Sequence, residues 1–230
     1  MASSFGYVLS LLGLVALGVA ATAPTVPVCH APWGNEMALE SLCFTPVYVQ
    51  GDVSVRRYTP RGAGYQQTFL ETSSAGGGDP AAYERVILRA VFDLLLYFGG
   101  ENSAGAIINR TSPILGRPNS ASQIVFDWLL PTTAFPMPAK APAPPAGYNL
   151  LLKPSTLGAK ALVAALHFTV TGVPQPGDFD QACETLLPLL PSLGYKPVQR
   201  GLWAPVYAYY TSRDFPGQHD GECLIEVIKA

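Results

Sequence analysis

Strong positive charge is absent from this chain. Its 14 Lys and Arg face 16 Asp and Glu, a formal net charge of −2, and no basic cluster exceeds Arg56-Arg57. A nucleic-acid partner needs a basic stripe or patch, so that class of function is excluded. Charge of either sign is scarce, at 13% of residues, which is low for a globular chain. Many of the remaining side chains must therefore pack on one another or on something bound. Catalytic motifs are missing too. There is no G-x-S-x-G, no H-E-x-x-H and no phosphate loop. Gly76-Gly77-Gly78 precedes a helical stretch but lacks the Lys-Ser/Thr that makes such a loop specific, and it reads as a connector. Acids such as Glu36, Glu40 and Asp52 are scattered and suggest no acid–base pair. Without C-x-x-C or H-x-x-x-H spacing, a zinc site is not indicated either. The chain reads as a non-enzyme.

One long apolar run is present. Phe5 to Ala21 has no charged residue and ends in the small residues Val19-Ala20-Ala21-Thr22-Ala23. That is the form of a secretory signal peptide, with cleavage after Ala20, Ala21 or Ala23. The alternative is a short anchor, but the run falls slightly below the ~20 residues a spanning helix needs. We therefore expect residues 1–23 to be a signal peptide, residues 24–230 to be one domain, and the protein to be extracellular. Four cysteines suit an oxidising compartment. Three pairings are possible. Cys29 and Cys43 flank a short loop, and Cys183 falls on a helical stretch with Cys223 on the last strand, so Cys29–Cys43 and Cys183–Cys223 are favoured. Asn109-Arg110-Thr111 is an N-glycosylation sequon, expected at the surface of an exported protein.

Two helices are expected. In the first, Pro80 to Phe98, Asp79 caps the N-terminus, and Tyr83, Val86, Ile87, Ala90, Val91, Leu94 and Phe98 recur at helical spacing. Arg85, Arg89 and Asp93 form a polar stripe, and Gly99-Gly100 ends the helix. Leu88 to Leu96 is apolar over more than one face, so one face can meet a sheet while another lines a groove. The second helix begins at Asp178, whose spacing to Gln181 resembles a capping box, and Pro188 and Pro191 should break it before Gly194. Strands are expected at Val53–Tyr58, Tyr65–Leu70, Ala106–Asn109, Gln123–Leu129, Tyr148–Leu152, Leu162–Val170, Val206–Tyr210 and Cys223–Ile228. Pro131 to Pro145, with six prolines, should be an extended surface loop. The order strand, strand, helix, strand, strand then occurs twice. It implies an α+β fold: a distorted eight-stranded antiparallel β-barrel of two repeated ββαββ halves, with two long helices packed outside.

That order, with several local motifs, resembles the SOUL / haem-binding-protein family. Val53-Ser54-Val55-Arg56-Arg57-Tyr58 is similar to its opening strand, Y-E-V-R-x-Y. Leu96-Tyr97-Phe98-Gly99-Gly100-Glu101-Asn102 resembles its helix end, Y-x-x-G-x-N, and Thr111-Ser112-Pro113-Ile114 its M-T-x-P-V segment. Val125-Phe126 to Leu130-Pro131 resembles the strand ending F-x-x-P, Pro144-Pro145 its Pro-rich loop, Val163 to Phe168 with Gly172 its V-x-x-x-x-F-x-G strand, and Glu222 to Val227 its last strand. The resemblance spans about Pro46 to Ile228. Extracellular relatives with an N-terminal cysteine pair suit Cys29 and Cys43. The chain departs at Arg110, where the family has methionine, and at His219-Asp220-Gly221, where it has basic residues. The resemblance implies a haem or other porphyrin as ligand, in a hydrophobic groove beside the first helix. We expect Leu88, Val91, Phe92, Leu95 and Leu96 to line it, Arg85 or Arg89 to meet a propionate, and aromatics such as Trp203, Tyr207 and Tyr209 to stack on the ring. Each also suits plain core filling. His167, in an apolar strand, is the candidate iron ligand; His30 and His219 suit solvated loops. An extracellular protein partner on the same scaffold is the rival reading.

Overall fold

Alternation of inward and outward side chains builds most of this molecule. Its structure is a computed structural model that describes residues 28–30, 32, 39–58, 68–75, 89, 91–120, 123–131, 134–135, 138–154, 162–172, 176–198, 206–210 and 218–230. The expected signal peptide lies outside them, as do Arg85, Leu88 and Trp203. Among the described residues eleven strands form one antiparallel sheet: β1 (Val28–His30), β2 (Glu40–Gln50), β3 (Val53–Tyr58), β4 (Thr68–Ala75), β5 (Ile114–Ser120), β6 (Gln123–Leu129), β7 (Leu150–Pro154), β8 (Leu162–Thr171), β9 (Tyr195–Pro197), β10 (Val206–Tyr210) and β11 (Gln218–Lys229). Helix α1 covers residues 91–98 and α2 covers Pro176–Leu186. The class is α+β, as expected.

The strand order is β1-β2-β3-β8-β11-β10-β5-β6-β4-β7, with β9 beside β11. The sheet curls into a half-barrel. At one point the curl meets itself: Glu40, heading β2, bridges Thr111 just ahead of β5, and Ser112 N–H donates to the Glu40 carbonyl at 2.9 Å. The concave side is filled by Leu42, Phe44, Tyr58, Leu115, Leu129, Val163, Ala165, Ala208, Tyr210 and Leu224. The convex side receives the helices. Val55, Ala164, Cys223, Ile225 and Val227 pack under α2, and Ile114, Phe126, Trp128 and Leu130 pack under α1. The period-2 split is plain in β8, where Val163 and Ala165 face in and Ala164 faces out.

The α2 side is tightly specified. Cys183 on α2 is bonded to Cys223 on β11, as expected. Cys43 is also disulfide-bonded. The strand carrying Cys29 lies along β2, with Val28 opposite Phe44, although the Cys29 side chain lies outside the described residues. Phe168 meets Phe179 edge-on at 5.1 Å, and Phe179 stacks on Tyr207 at 5.0 Å. Gly221, directly opposite Phe168, makes room for this stack, since a Cβ there would lie 2.4 Å from the ring. Helix α2 starts at Pro176, two residues before the expected cap. Asp178 therefore sits in its first turn, where its charge suits the free N–H groups. Past Leu186 the chain continues as 3-10 turns, Leu187–Leu189 and Pro191–Leu193, each admitting a proline.

Two expectations about strands change. Residues 106–109 form no strand; the strand is β5, further on. β1, β2 and β9 join the sheet beyond the eight strands expected. The described residues 134–135 and 138–145 of the proline-rich segment are at the surface, and they strap the end of α1. Tyr97 Oη donates to the Pro142 carbonyl (2.7 Å), while Ser103 and Ala143 exchange two hydrogen bonds (2.9 and 2.8 Å). Burial pushes the Tyr97 phenol up to about 12.

Candidate ligand cleft beside the first helix

Helix α1 is apolar on two faces, and only one of them is covered. Leu94, Tyr97 and Phe98 are buried against the sheet. Phe98 packs on Trp128 at 4.6 Å between ring centroids, and the Trp128 indole donates to the Thr111 carbonyl at 2.8 Å. Phe92 and Leu95 point the other way and are 52% and 38% exposed. The helix ends where Gly100 takes a positive φ of 111°. Asn102 then fixes the return of the chain. Its amide donates to the carbonyls of Tyr97 (3.0 Å) and Ala106 (2.7 Å), and its oxygen accepts from the N–H groups of Ala104 (3.2 Å) and Ala106 (3.1 Å). Ile108 N–H closes the loop onto the Phe98 carbonyl at 2.9 Å.

The returning loop makes one wall of a cleft of about 630 Å³, within the range of small-molecule sites. Ile107, Ile108, Asn109 and Arg110 form that wall, Leu95, Phe98 and Gly99 the helix side, and Leu39, Glu40 and Pro131 the remainder. The lining is mixed: apolar side chains share it about evenly with polar surface, which includes Asn109, the Arg110 cation and the Glu40 carboxylate. Ile107 is 83% exposed.

The residues expected to form the site divide between several places. Leu95 lines the cleft and Phe92 is exposed one turn back on α1. Val91 packs against the sheet, and Leu96 is half-buried. Arg89 is exposed and paired with Asp93 at 3.1 Å. Arg85, Leu88 and Trp203 lie outside the described residues, and so does the Tyr209 side chain. Tyr207 lies under α2, where its hydroxyl donates to Asp180 at 2.6 Å; it does not share a wall with α1. His167 is on the concave face between Asp220 (2.8 Å) and Asp52 (3.7 Å), away from the cleft. Among the described residues no group of three potential metal ligands gathers. Asn109 is exposed on the cleft wall.

Sequence reasoning missed Leu39, Glu40, Ile107, Ile108, Arg110 and Pro131 as lining residues. A signal was there for some of them: Ile107-Ile108 is an apolar pair in a polar stretch, followed at once by the sequon. The same residues also suit a short strand, which the structure does not form.

A second polar feature is sealed inside the curl. Arg56 reaches Glu222 with both guanidinium arms, Nη1 to Oε2 at 2.9 Å and Nη2 to Oε1, and Nε donates to Ser54 at 2.9 Å. Tyr210 donates to the same carboxylate at 2.5 Å, and the guanidinium lies 4.7 Å from the Phe44 ring centre. Burial works against the Arg56 charge, but Glu222 outweighs it and holds the guanidinium pKa above its ordinary value. Burial, reinforced by Glu222, pushes the Tyr210 phenol well up. Nearer the other end of the sheet, Asp127 is held by Arg117 (2.7 Å) and Lys153 (3.2 Å). Burial raises the Asp127 pKa against the pull of Arg117.

No family model and no curated protein matches the chain. Among solved structures it is similar to an uncharacterized conserved protein from Listeria innocua, at 9% identity and a TM-score of 0.44, covering 76% of this chain and 92% of that one. It is also similar to a hydrolase from Listeria innocua (8% identity, TM-score 0.45, covering 79% and 94%). A third is the EcmrR C-terminal domain (9% identity, TM-score 0.48, covering 77% and 98%). Likenesses this distant carry no argument.

Proposed function

We propose that this protein is a secreted, non-enzymatic carrier that binds a flat apolar molecule of the tetrapyrrole class, haem or another porphyrin, in the cleft beside α1. The observation that carries the reading is the uncovered second face of α1: Phe92 and Leu95 are left open, and Leu95 forms part of a cleft large enough for a small molecule. Apolar area removed from water there contributes roughly 25 cal/mol per Å². Arg110, on the cleft wall, is better placed than the paired Arg89 to meet a carboxylate. The disulfides suit an oxidising compartment, and no helix among the described residues is long and apolar enough to cross a membrane.

The same reading takes the domain as two related ββαββ halves, β3-β4-α1-β5-β6 and β7-β8-α2-β10-β11. The pairing order supports it: from β3 to β7 it stays the same when the two halves are exchanged and the order is reversed. The first strand of each half pairs with the second strand of the other, β3 with β8 and β7 with β4. The ion pairs cross over likewise. Arg56 of β3 meets Glu222 of β11, and Lys153 of β7 meets Asp127 of β6.

Titration of the disulfide-intact protein with hemin tests the proposal. A shifted Soret band should saturate near one equivalent. Leu95→Asp should weaken binding about ten- to a hundredfold, since a buried leucine contributes about 1.5–3 kcal/mol. A spectral change no larger than that of an unrelated protein, or one indifferent to Leu95→Asp, removes the haem reading. The rival, a protein partner on this face, draws on the exposure of Ile107 and Phe92. It predicts a partner from extracellular fluid whose capture is lost in Ile107→Asp.

A further inference from the structure

We infer that Asn109 carries an N-linked glycan, added before the chain folds, that covers the exposed apolar rim of the cleft and limits its occupants to small molecules. The inference deepens the small-molecule reading of the cleft and rests on it. Three observations lead there. Asn109 heads the sequon Asn109-Arg110-Thr111, is exposed, and forms part of the cleft wall. Two residues away, Ile107 leaves 83% of its surface in water, with Phe92 and Leu95 also uncovered on α1. Ile107 and Leu95 line the cleft and Phe92 lies one turn back from it; exposed apolar side chains gathered so closely mark a surface that something covers. A glycan on this wall is covalently held at that rim, and its sugar rings have apolar faces to lay over Ile107 while their hydroxyls stay in water.

The third observation sets the timing. Sugar transfer uses the sequon hydroxyl and a chain free to bend, but in the fold Thr111 is buried. Its hydroxyl donates to the Leu129 carbonyl, its carbonyl accepts from Trp128, and its backbone bridges Glu40. These contacts close the curl, so modification has to come first. In the transfer the Asn109 side-chain nitrogen attacks the anomeric carbon of a polyprenyl-diphosphate-linked oligosaccharide. The C–N bond forms, the anomeric C–O bond breaks, the diphosphate leaves with its polyprenyl chain, and the amide gives up one proton.

The test expresses the full chain in a eukaryotic secretory host and treats the product with a peptide N-glycosidase. The expected result is the loss of one glycan mass and conversion of Asn to Asp confined to the peptide holding residue 109, with Asn109→Gln unmodified from the start. An unmodified Asn109, in the medium or inside the cell, overturns the proposal. Unmodified protein, first folded and then offered microsomes, should stay unmodified; efficient transfer to it overturns the timing. Anilinonaphthalene sulfonate fluorescence should rise severalfold when the glycan is removed from folded protein, and Asn109→Gln should match the stripped form. Equal fluorescence overturns the covering role. Hemin titrated into both forms separates the two ideas: no binding to either one defeats the tetrapyrrole reading while the mass and dye results decide the glycan.

Discussion

Arg56 and Glu222 are buried charges, and each is tolerable only because of the other. A buried pair of this kind adds little over apolar packing, but removing one partner strands the other in a low-dielectric interior. Glu222→Gln should therefore cost about 3–5 kcal/mol in urea unfolding, and the joint replacement Arg56→Met with Glu222→Leu should cost much less. A double variant no more stable than the single would show that the pair does not act as a unit. The phenols beside and beyond this pair give a pH signature. Burial raises Tyr58 and Tyr210 above the ordinary phenol range, and raises Tyr97 to about 12. The folded state thus keeps protons that the unfolded chain releases above 10. These groups contribute their full stability below that pH and lose it as the pH climbs towards and past 12. Stepped urea midpoints should fall over that window, and phenolate absorbance from these three should appear only with unfolding. A full phenolate titration near 10 with the fold intact would contradict this.

At the scale of elements, what could be read from the sequence was what local pattern determines. β3, β6 and β10 fall where β-branched and aromatic residues announce them, and Pro188 and Pro191 end α2 as proline must. At β5 the local pattern misleads, since Gly116, Pro118 and Asn119 argue against a central strand. The structure resolves the conflict: β10 pairs β5 only over Ile114–Gly116, so at Pro118 β5 has β6 alone as neighbour and its missing N–H costs no bond to β10. Gly221 was read as the loss of a basic residue, whereas its position across from Phe168 depends on register between distant strands and is invisible locally. Gly221→Ala should force the ring off its place and cost about 1–3 kcal/mol, with part of the loss recovered when Phe168→Leu is added. Reduction of Cys183–Cys223, which closes a loop of 40 residues, should remove about 4 kcal/mol. Urea unfolding with and without reductant, compared with the Cys183→Ala/Cys223→Ala variant, measures it.

Over the whole molecule, the groove was legible as an uncovered helix face but not as a set of walls. Phe92 and Leu95 belong to the stretch Leu88 to Leu96, which is apolar over more than one helix face. Leu39, Arg110 and Pro131 reach the cleft only because the sheet curls until Glu40 meets Thr111. Tyr207 was misplaced for the same reason, since nothing local says which helix a given strand face serves. The chain beyond α1 differs from the chain beyond α2, and the difference shows why the cleft beside α1 is open. Beyond α2 the chain fills its own space: Leu186, Leu190 and Tyr195 are buried, Gly194 turns with φ 76°, and β9 pairs the end of β11. Beyond α1 the chain turns polar at Glu101-Asn102-Ser103, folds back on Asn102, and leaves Leu95 uncovered. A ligand should therefore choose the α1 side, and two substitutions separate the sides. Tyr207→Ala loses its stacking on Phe179 and its bond to Asp180, so it should cost about 1–3 kcal/mol of stability and leave hemin affinity unchanged. Arg110→Glu should leave stability within about 0.5 kcal/mol, as exposed substitutions do, and weaken hemin binding about tenfold through one lost charge contact. Titration and urea unfolding of both variants decide the matter. If Tyr207→Ala weakens hemin binding and Arg110→Glu does not, the ligand lies on the α2 side, and the open face of α1 does not hold it.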